Sequence, residues 1–474
     1  MSQSEPTLYV DLDGTLIHTD MLFESALALL RRNPFYVFVL PFWLLGGRPH
    51  LKAQIAERVQ LDIARLPWNR ELLGYLTQEK QRGRRIVLAT ASDQRFAHQV
   101  AVHLNLFDAV LASDGLQNLD GKRKLVAIGV DSDTPAFDYV GNARADLPLW
   151  AAARQSYVAT ASKRVRNLAK QKANVIKEFN VLPNRLSACY RAMRFHQWLK
   201  NLLVFLPVVA SHQWGSPQVF TTSLLAFFAF GFVASSGYWA NDLLDIESDR
   251  QHPQKNKRPF ASGDLPILWG VLGVPILLLV AILTSLLLPW DFLIVIAVYY
   301  VLTLFYSLWL KRLVMLDVTV LALLYTLRIL AGAAATGIVP SFWMLAFSMF
   351  LFLGLAILKR YTEFMAVKAQ GEVATPQRGY ETGDLPLLGM LGASSSLLSV
   401  LVLALYINSD AVRILYAQSE LIWFMCPLLI YWTGRMWFKA HRGQMHHDPV
   451  VFAARDPVSW FVVGLAAAVF LLAR

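Results

Sequence analysis

Residues 217–250 read PQVFTTSLLAFFAFGFVASSGYWANDLLDIESDR, and this stretch decides the architecture of the larger half of the chain. From Pro217 to Ala240 no side chain is charged, and the run is long enough to cross a hydrocarbon core of ~30 Å as one helix. It ends on Asn241, Asp242, Asp245 and Asp249, whose spacing of three or four residues puts them on one face of a continuing helix. Carboxylates stacked at the end of a span are costly unless paired or bound to metal. A diphosphate bridged by Mg²⁺ meets that cost, because Mg²⁺ takes one or two carboxylates together with phosphate oxygens. The next loop, His252 to Pro259 (HPQKNKRP), offers Lys255, Lys257 and Arg258 to the phosphates. A charged helix end followed by topological cations accounts for the loop, but not for the aligned carboxylates.

Outward from this point the pattern repeats. About nine apolar runs are expected as spans, near 195–211, 217–241, 266–288, 291–310, 314–336, 341–358, 386–407, 419–434 and 457–473. Loops after the even-numbered runs hold Arg250 to Arg258, Lys311 and Arg312, Lys359 to Arg378, and Arg435 to Arg455, whereas those after the odd-numbered runs hold only Arg413. Basic loops stay in the cytoplasm. The chain is therefore expected to be an integral multi-pass protein of the inner (cell) membrane, with its N-terminal domain cytoplasmic. Its net charge of +11 then belongs to the loops, and nucleic acid is not an expected partner. With 55% hydrophobic and 16% charged residues over 474 positions, the composition averages two unlike parts. Cys189 and Cys426 stand far apart with no metal-ligand spacing, which excludes a disulfide framework. The polar start, Met1 to Pro6, lacks an apolar h-region, so a signal peptide is not expected.

Residues 1–160 are expected as an α/β domain. Strand-like runs at Thr7–Val10, Arg85–Thr90, Ala109–Ala112 and Phe137–Val140 alternate with helix-length segments, which predicts a parallel sheet covered by helices. Pro34 to Gly47 is almost wholly apolar yet too short to span, and reads either as a cap helix touching the bilayer or as a buried helix. Residues 161–190 are expected as a basic linker, juxtamembrane or simply solvated, with Lys163, Arg164, Arg166, Lys170, Lys172 and Lys177. The membrane domain then runs over 191–474. At the end of the first strand stands Asp11-Leu12-Asp13-Gly14-Thr15-Leu16. Carboxylates two apart leave a strand on the same side, and Gly14 lets the backbone turn tightly.

The Asp11–Leu16 motif resembles that of the haloacid dehalogenase (HAD) phosphohydrolases, over roughly residues 7–160. That resemblance implies a Rossmann-like sheet with a helical cap, Asp11 as nucleophile and Asp13 as general acid/base. It further implies Thr90 as the phosphate-holding hydroxyl and Lys124, or its rival Lys122, as the neutralising cation. Asp11, Asp13, Asn142 and Asp146 are the implied Mg²⁺ ligands. Asn142 replaces the family's first acidic position there, so a non-catalytic, regulatory module is the alternative.

The stretch NDxxDxxxDxxHPxKxxRP from Asn241 to Pro259 is similar to the UbiA superfamily of intramembrane prenyltransferases, over roughly 190–474. The resemblance implies Asp242, Asp245 and Asp249 as metal ligands, with Asp242 and Asp245 catalytic. It implies Lys200, Asn201, Asn241, Lys255, Lys257, Arg258, Lys311, Lys359 and Arg360 as substrate-binding. Aromatic prenyltransferases of the family carry a second Asp-rich loop. Here Lys359-Arg360-Tyr361-Thr362-Glu363 and Arg378-Gly379-Tyr380-Glu381 stand instead, like the polyprenyl-phosphate phosphoribosyltransferase branch. The expected reaction moves 5-phosphoribose from phosphoribosyl diphosphate to a polyprenyl phosphate, after which the HAD-like site removes the 5-phosphate. The alternative is a prenyl diphosphate donor with an aromatic or other acceptor. Arg328 lies mid-span and reads as lining a site or closing an ion pair. A transporter is disfavoured because no internal repeat is apparent.

Overall fold

The computed structural model describes residues 5–132, 136–179, 185–252, 254–369, 379–409, 412, 416–445 and 448–473; Pro253, Arg378 and Arg413 lie outside them. The chain divides into two compact units, one of residues 1–193 with 238–274 and one of 194–237 with 275–474.

The first unit opens with β1 (Leu8–Val10), the helices α1 (Met21–Arg32), α2 (Tyr36–Leu45) and α3 (Arg48–Ala56), then α4 (Arg70–Gln81) and β2 (Ile86–Asp93). It continues through α5 (Gln94–Leu104), β3 (Ala109–Ser113), α6 (Gly121–Asp131), β4 (Asp138–Gly141), α7 (Leu147–Ala152) and β5 (Gln155–Val158). The four expected strands are present. The segment expected as linker carries α8 (Lys163–Lys172), a further strand β6 (Val175–Glu178) and α9 (Arg185–Met193). Arg166 and Lys170 pair with Glu178, so part of the basic run is taken up in closing the sheet edge.

All strand pairs are parallel, in the order β3-β2-β1-β4-β5-β6. Alternation sorts the core: Leu8, Val10, Ile86, Leu88 and Val140 pack on one face, Tyr9, Val87, Ala89 and Tyr139 on the other. The chain leaves β1 in one direction for β2 and β3, then returns to β4 on the opposite side. Sites in such sheets form in the crevice at the carboxyl ends of the two strands flanking that reversal. Asp11 follows β1 and Asn142 follows β4. Helices α1–α3 are a cap inserted after β1; its neck is closed where Asn69 donates from its backbone to Leu16 and from its side chain to Thr15.

The same unit takes in the loop that follows the quoted stretch. Long helix α11 (Pro217–Leu244), reached through the five-residue α10 (Leu206–Ala210), is succeeded by α12 (Ile246–Gln251). Arg250 on α12 forks onto Glu24 of α1 at 2.5 and 3.1 Å and donates through Nε to the Ala261 carbonyl, while Arg31 reaches Glu247 at 2.7 Å. Both Glu24 and Arg250 side chains are shielded from solvent. Gly263, at φ +80°, lies so close to His18 that a Cβ there would stand 2.7 Å from the His18 Cβ.

Further spanning helices are α13 (Ile267–Ser285), α14 (Trp290–Leu308), α15 (Leu316–Thr336), α16 (Phe342–Ala369) and α17 (Leu385–Ile407). Among the described residues, six helices are long and apolar enough to cross a membrane, rising to seven if one bent pair counts as a span. Nine were expected, and the remaining runs are divided between shorter elements. The run at 195–211 is a 3₁₀ helix over Phe195–Phe205 followed by α10, whose Pro207 cannot donate a backbone hydrogen bond. The run at 419–434 begins as 3₁₀ (Ser419–Phe424) before α18 (Met425–His441). The last is broken by 82° between α19 (Pro449–Arg455) and α20 (Pro457–Ala473), since Pro457 pushes Asp456 out of helical geometry. The chain is a polytopic membrane protein.

Small residues let these helices approach. A Cβ on Gly332 of α15 would fall 1.9 Å from the Val204 carbonyl oxygen, a backbone atom that cannot swing aside. Gly332→Ala should therefore cost about 1–3 kcal/mol of overpacking, read as a lower melting temperature of the purified protein in detergent.

Candidate functional site

Three groups of polar side chains are built where the fold would otherwise bury apolar ones. The first sits at the carboxyl edge of β1. Asp11 accepts from the Lys124 ammonium at 2.7 Å and from the Thr15 hydroxyl at 3.3 Å. Lys124 is buried on α6 and reaches Asp11, whereas Lys122, two residues away and on the opposite side of the helix, is exposed. Asp13 accepts from the Met21 backbone at 2.8 Å and the Ser92 hydroxyl at 2.5 Å. Burial, and then the nearby Asp20, hold its carboxyl up to about 7, against the pull of the Ser92 hydrogen bond. Thr90 is fully buried and its hydroxyl accepts from the Ser92 backbone. Asn142 lies against Gly14, whose missing Cβ would meet the amide nitrogen at 2.0 Å. Asp146 accepts from the Asn142 and Ala143 backbones and from the Tyr139 hydroxyl, which fixes the loop after β4.

Sequence reasoning missed Lys52. From α3 of the cap it reaches the Ala91 carbonyl at 2.6 Å and Asn118 at 3.0 Å, beside Thr90. No spacing signal marks it, because the cap brings it in across the fold. Ser92 was within reach of a sequence reading, two residues beyond Thr90.

The second group is the carboxylate ladder, in the same compact unit. Helix α11 stops at Leu244 and α12 starts at Ile246, yet the hydrogen bonds Asp245 N to Asn241 O and Asp249 N to Asp245 O carry the helical register through the break. Asp242 and Asp249 therefore converge. One guanidinium nitrogen, Nη1 of Arg258, donates to Asp242 at 3.1 Å and to Asp249 at 2.6 Å. Asp245 and Asn241 are half-buried and outside that bridge; Lys255 is half-buried and Lys257 exposed on the one-turn helix that follows. Burial pushes the Asp249 carboxyl above its ordinary value even with Arg258 opposing. Two carboxylates converging on one cation fit a divalent ion in donor type and approach. Among the described residues, no three Asp, Glu, His or Cys side chains converge closely enough to form a complete cage.

The third group belongs to the other unit. The 3₁₀ segment presents Lys200 and Asn201 inward. Lys200 and Lys359 share one oxygen of Asp448, at 2.8 and 3.3 Å. Burial would raise the Asp448 carboxyl, but the two ammonium groups hold it well below the usual carboxylate range. Lys200 lies over one side of the Tyr325 ring at 5.4 Å, and Arg328 lies 5.4 Å from the same ring. Arg328 also donates to Asn201 at 3.1 Å and to the Tyr299 hydroxyl at 3.0 Å. Three cations thus gather about one carboxylate and one aromatic ring. Positive charge gathered in this way is suited to a phosphate.

Arg360 does not join them. Neighbouring residues on a helix diverge by about 100°, so Lys359 faces Asp448 while the fully buried Arg360 turns to Asp317 at 2.7 Å and to Glu363. Asp317 also accepts from Tyr380 at 2.6 Å. This pairing ties α15 to α16 and meets the arginine's charge within the protein. Lys311 sits on the one-turn helix Leu310–Arg312 between α14 and α15.

Several known proteins are similar to this chain. The chain is 34% identical over 480 residues to the uncharacterized protein y4nM of Sinorhizobium fredii, covering 98% of this chain and 90% of that one. It is 33% identical over 221 residues to the decaprenyl-phosphate phosphoribosyltransferase of Mycolicibacterium smegmatis, covering 45% of this chain and 68% of that one. A solved UbiA homolog from Archaeoglobus fulgidus bound to GPP and Mg²⁺ superposes at a TM-score of 0.45 with 19% identity, over 60% of this chain and 99% of that one. The family model of the UbiA prenyltransferases matches residues 202–462, and the chain belongs to that family.

Proposed function

We propose that the membrane domain transfers a 5-phosphoribosyl group from phosphoribosyl diphosphate to a polyprenyl phosphate, and that the soluble domain then hydrolyses the 5-phosphate. The observation that carries the first step is the gathering of Lys200, Lys359 and Arg328 about Asp448 and the Tyr325 ring. A prenyl acceptor with an uncharged aromatic ring has no use for that charge; a lipid phosphate has. The mycobacterial relative, named for this transfer, supports the same reading.

Asp242, Asp245 and Asp249 are the residues that would hold Mg²⁺ in the membrane domain; Asp11, the Asp13 main chain, Asn142 and Asp146 would hold it in the soluble one. When bound, the ion draws charge from the departing diphosphate or from the phosphoryl group under attack. Arg258, with Lys255 and Lys257 beside it, receives the diphosphate and is released from Asp242 and Asp249 as it does so. Lys200 and Lys359 orient the acceptor phosphate, one oxygen of which bonds to the anomeric carbon as the carbon–oxygen bond to diphosphate breaks. The product remains in the bilayer on its prenyl chain, so a tethered second site meets it at high effective concentration.

In that second site Asp11 attacks the 5-phosphate while Lys124 and Thr90 hold its oxygens, and Asp13 protonates the departing ribose oxygen. Asp13 then takes a proton from the water that cleaves the aspartyl phosphate, and inorganic phosphate leaves. The basic loops and the capped domain are assigned to the cytoplasmic side of the cell membrane.

The purified chain in lipid vesicles, given phosphoribosyl diphosphate and a polyprenyl phosphate, should release diphosphate. Release only with a prenyl diphosphate and an aromatic acceptor would replace this reading with the prenyl-transfer one. A further expectation follows from Asp13. With its carboxyl near 7 in the folded protein, the acid form needed for the ribose oxygen is lost as pH rises through 7. Hydrolysis of a sugar phosphate should decline above that pH, while p-nitrophenyl phosphate, whose leaving group needs no proton, should not follow; parallel pH–rate curves for both substrates check this.

A further inference from the structure

We infer that α2 of the cap is a bilayer anchor, lying in the headgroup–acyl boundary with its apolar outer face in lipid. The inference rests on the membrane embedding alone and not on the chemistry proposed above. The helix YVFVLPFWLL contains no charged residue, and none of its side chains is buried in the domain. Tyr36, Leu40 and Trp43 pack against Leu29, Ile55 and Val59 of the cap. The opposite face carries Phe35, Phe38, Phe42 and Leu45, which are 69–85% exposed. That spacing is one continuous helical stripe of large apolar groups, and a soluble cap gains nothing by displaying it to water.

Charge and position name lipid as the occupant. Between Ser25 and Ala56 there is no Asp or Glu, while Arg31, Arg32, Arg48 and Lys52 bracket the helix on both sides. Arg32 and Arg48 are exposed and stand just before and just after it, as cations that meet anionic headgroups do. Position comes from α1. Its Glu24 and Arg31 are bound to Arg250 and Glu247 on α12, immediately beyond Leu244 where the spanning helix α11 ends. Five residues separate Arg31 from Val37 of α2, so the stripe is held close to the level at which a span leaves the hydrocarbon. Ten residues make about 15 Å of helix, half of what crossing requires. An in-plane helix satisfies length, charge and composition together.

The test uses the full chain with Cys189→Ser and Cys426→Ser, spin-labelled at Phe38→Cys or, as a second site, Phe42→Cys, in vesicles of phosphatidylcholine with phosphatidylglycerol. Val102→Cys on α5, itself 81% exposed, is the water-facing control. We expect labels at 38 and 42 to be reached by oxygen and shielded from a water-soluble nickel chelate, at a depth of about 5–10 Å below the headgroups, with the label at 102 open to nickel. Nickel access at 38 and 42 equal to that at 102 would overturn the inference. So would shielding from both reagents, which would put protein, such as a second copy of the chain, on the stripe.

Discussion

Asp242→Asn should leave the protein folded in the membrane and lower diphosphate release by about 10²–10³-fold, the usual loss when one group facing developing charge is removed. Asp242 is almost wholly buried and shares Arg258 with Asp249, so the substitution removes one of two carboxylates that converge on a single cation. Arg258 keeps Asp249 as its partner, and the loop is held elsewhere by the fork of Arg250 on Glu24. The loss should therefore appear in turnover rather than in the amount of intact protein. Diphosphate release per mole of monodisperse protein, measured over a Mg²⁺ series, checks it. A variant with unchanged turnover at limiting Mg²⁺ would remove the ladder from the active site. Asp249→Asn should behave alike, and the double variant should lose little more than either single one, since the two carboxylates act on one centre.

The second large effect concerns the product. Asp11→Asn should leave diphosphate release intact while lowering release of inorganic phosphate by at least about 10⁴-fold, as loss of a nucleophile does. The lipid product should then accumulate with two phosphates and move accordingly on thin-layer chromatography. Asp11 is bound to Lys124 and Thr15, and the amide keeps the shape of the side chain, its oxygen accepting from Lys124 and its nitrogen donating to the Thr15 hydroxyl. Lys124→Met should lower the same step without touching the first. If Asp11→Asn releases phosphate at the unaltered rate, the soluble domain is a regulatory module, as Asn142 already suggested from the sequence.

Much of this was legible in the chain, and the parts that were not share a physical cause. Short apolar runs punctuated by turns gave away β1 to β4, because a doubly covered parallel sheet needs apolar strands. Strands β5 and β6 escaped notice because QSYV and VIKE are four residues each and partly polar. They gain their place from register with a neighbour rather than from composition. Hydropathy located the spans but could not distinguish α from 3₁₀ hydrogen bonding, so Phe195–Phe205 was read as helix of the wrong kind. Lys124 and Lys122 stayed rivals until burial separated them, whereas Asp11 and Asp13 were legible since a strand end fixes the side on which they leave the sheet. Lys52, Tyr139 and the Glu24–Arg250 fork were not, because each meets its partner across the fold. Arg360 was grouped with Lys359 by adjacency in the chain, which on a helix is a poor guide to adjacency in space.

The fork between Glu24 and Arg250 has a practical corollary for dissecting this molecule. The compact unit that begins with the sheet also claims residues 238–274, which the chain reaches only after entering the bilayer. Cutting at residue 193 to harvest a water-soluble fragment would strip the cap of its seat and leave the arginine's carboxylate partner facing solvent. The excised domain would thus lack part of its own foundation, and a shortened version worth studying must carry the 238–274 segment along.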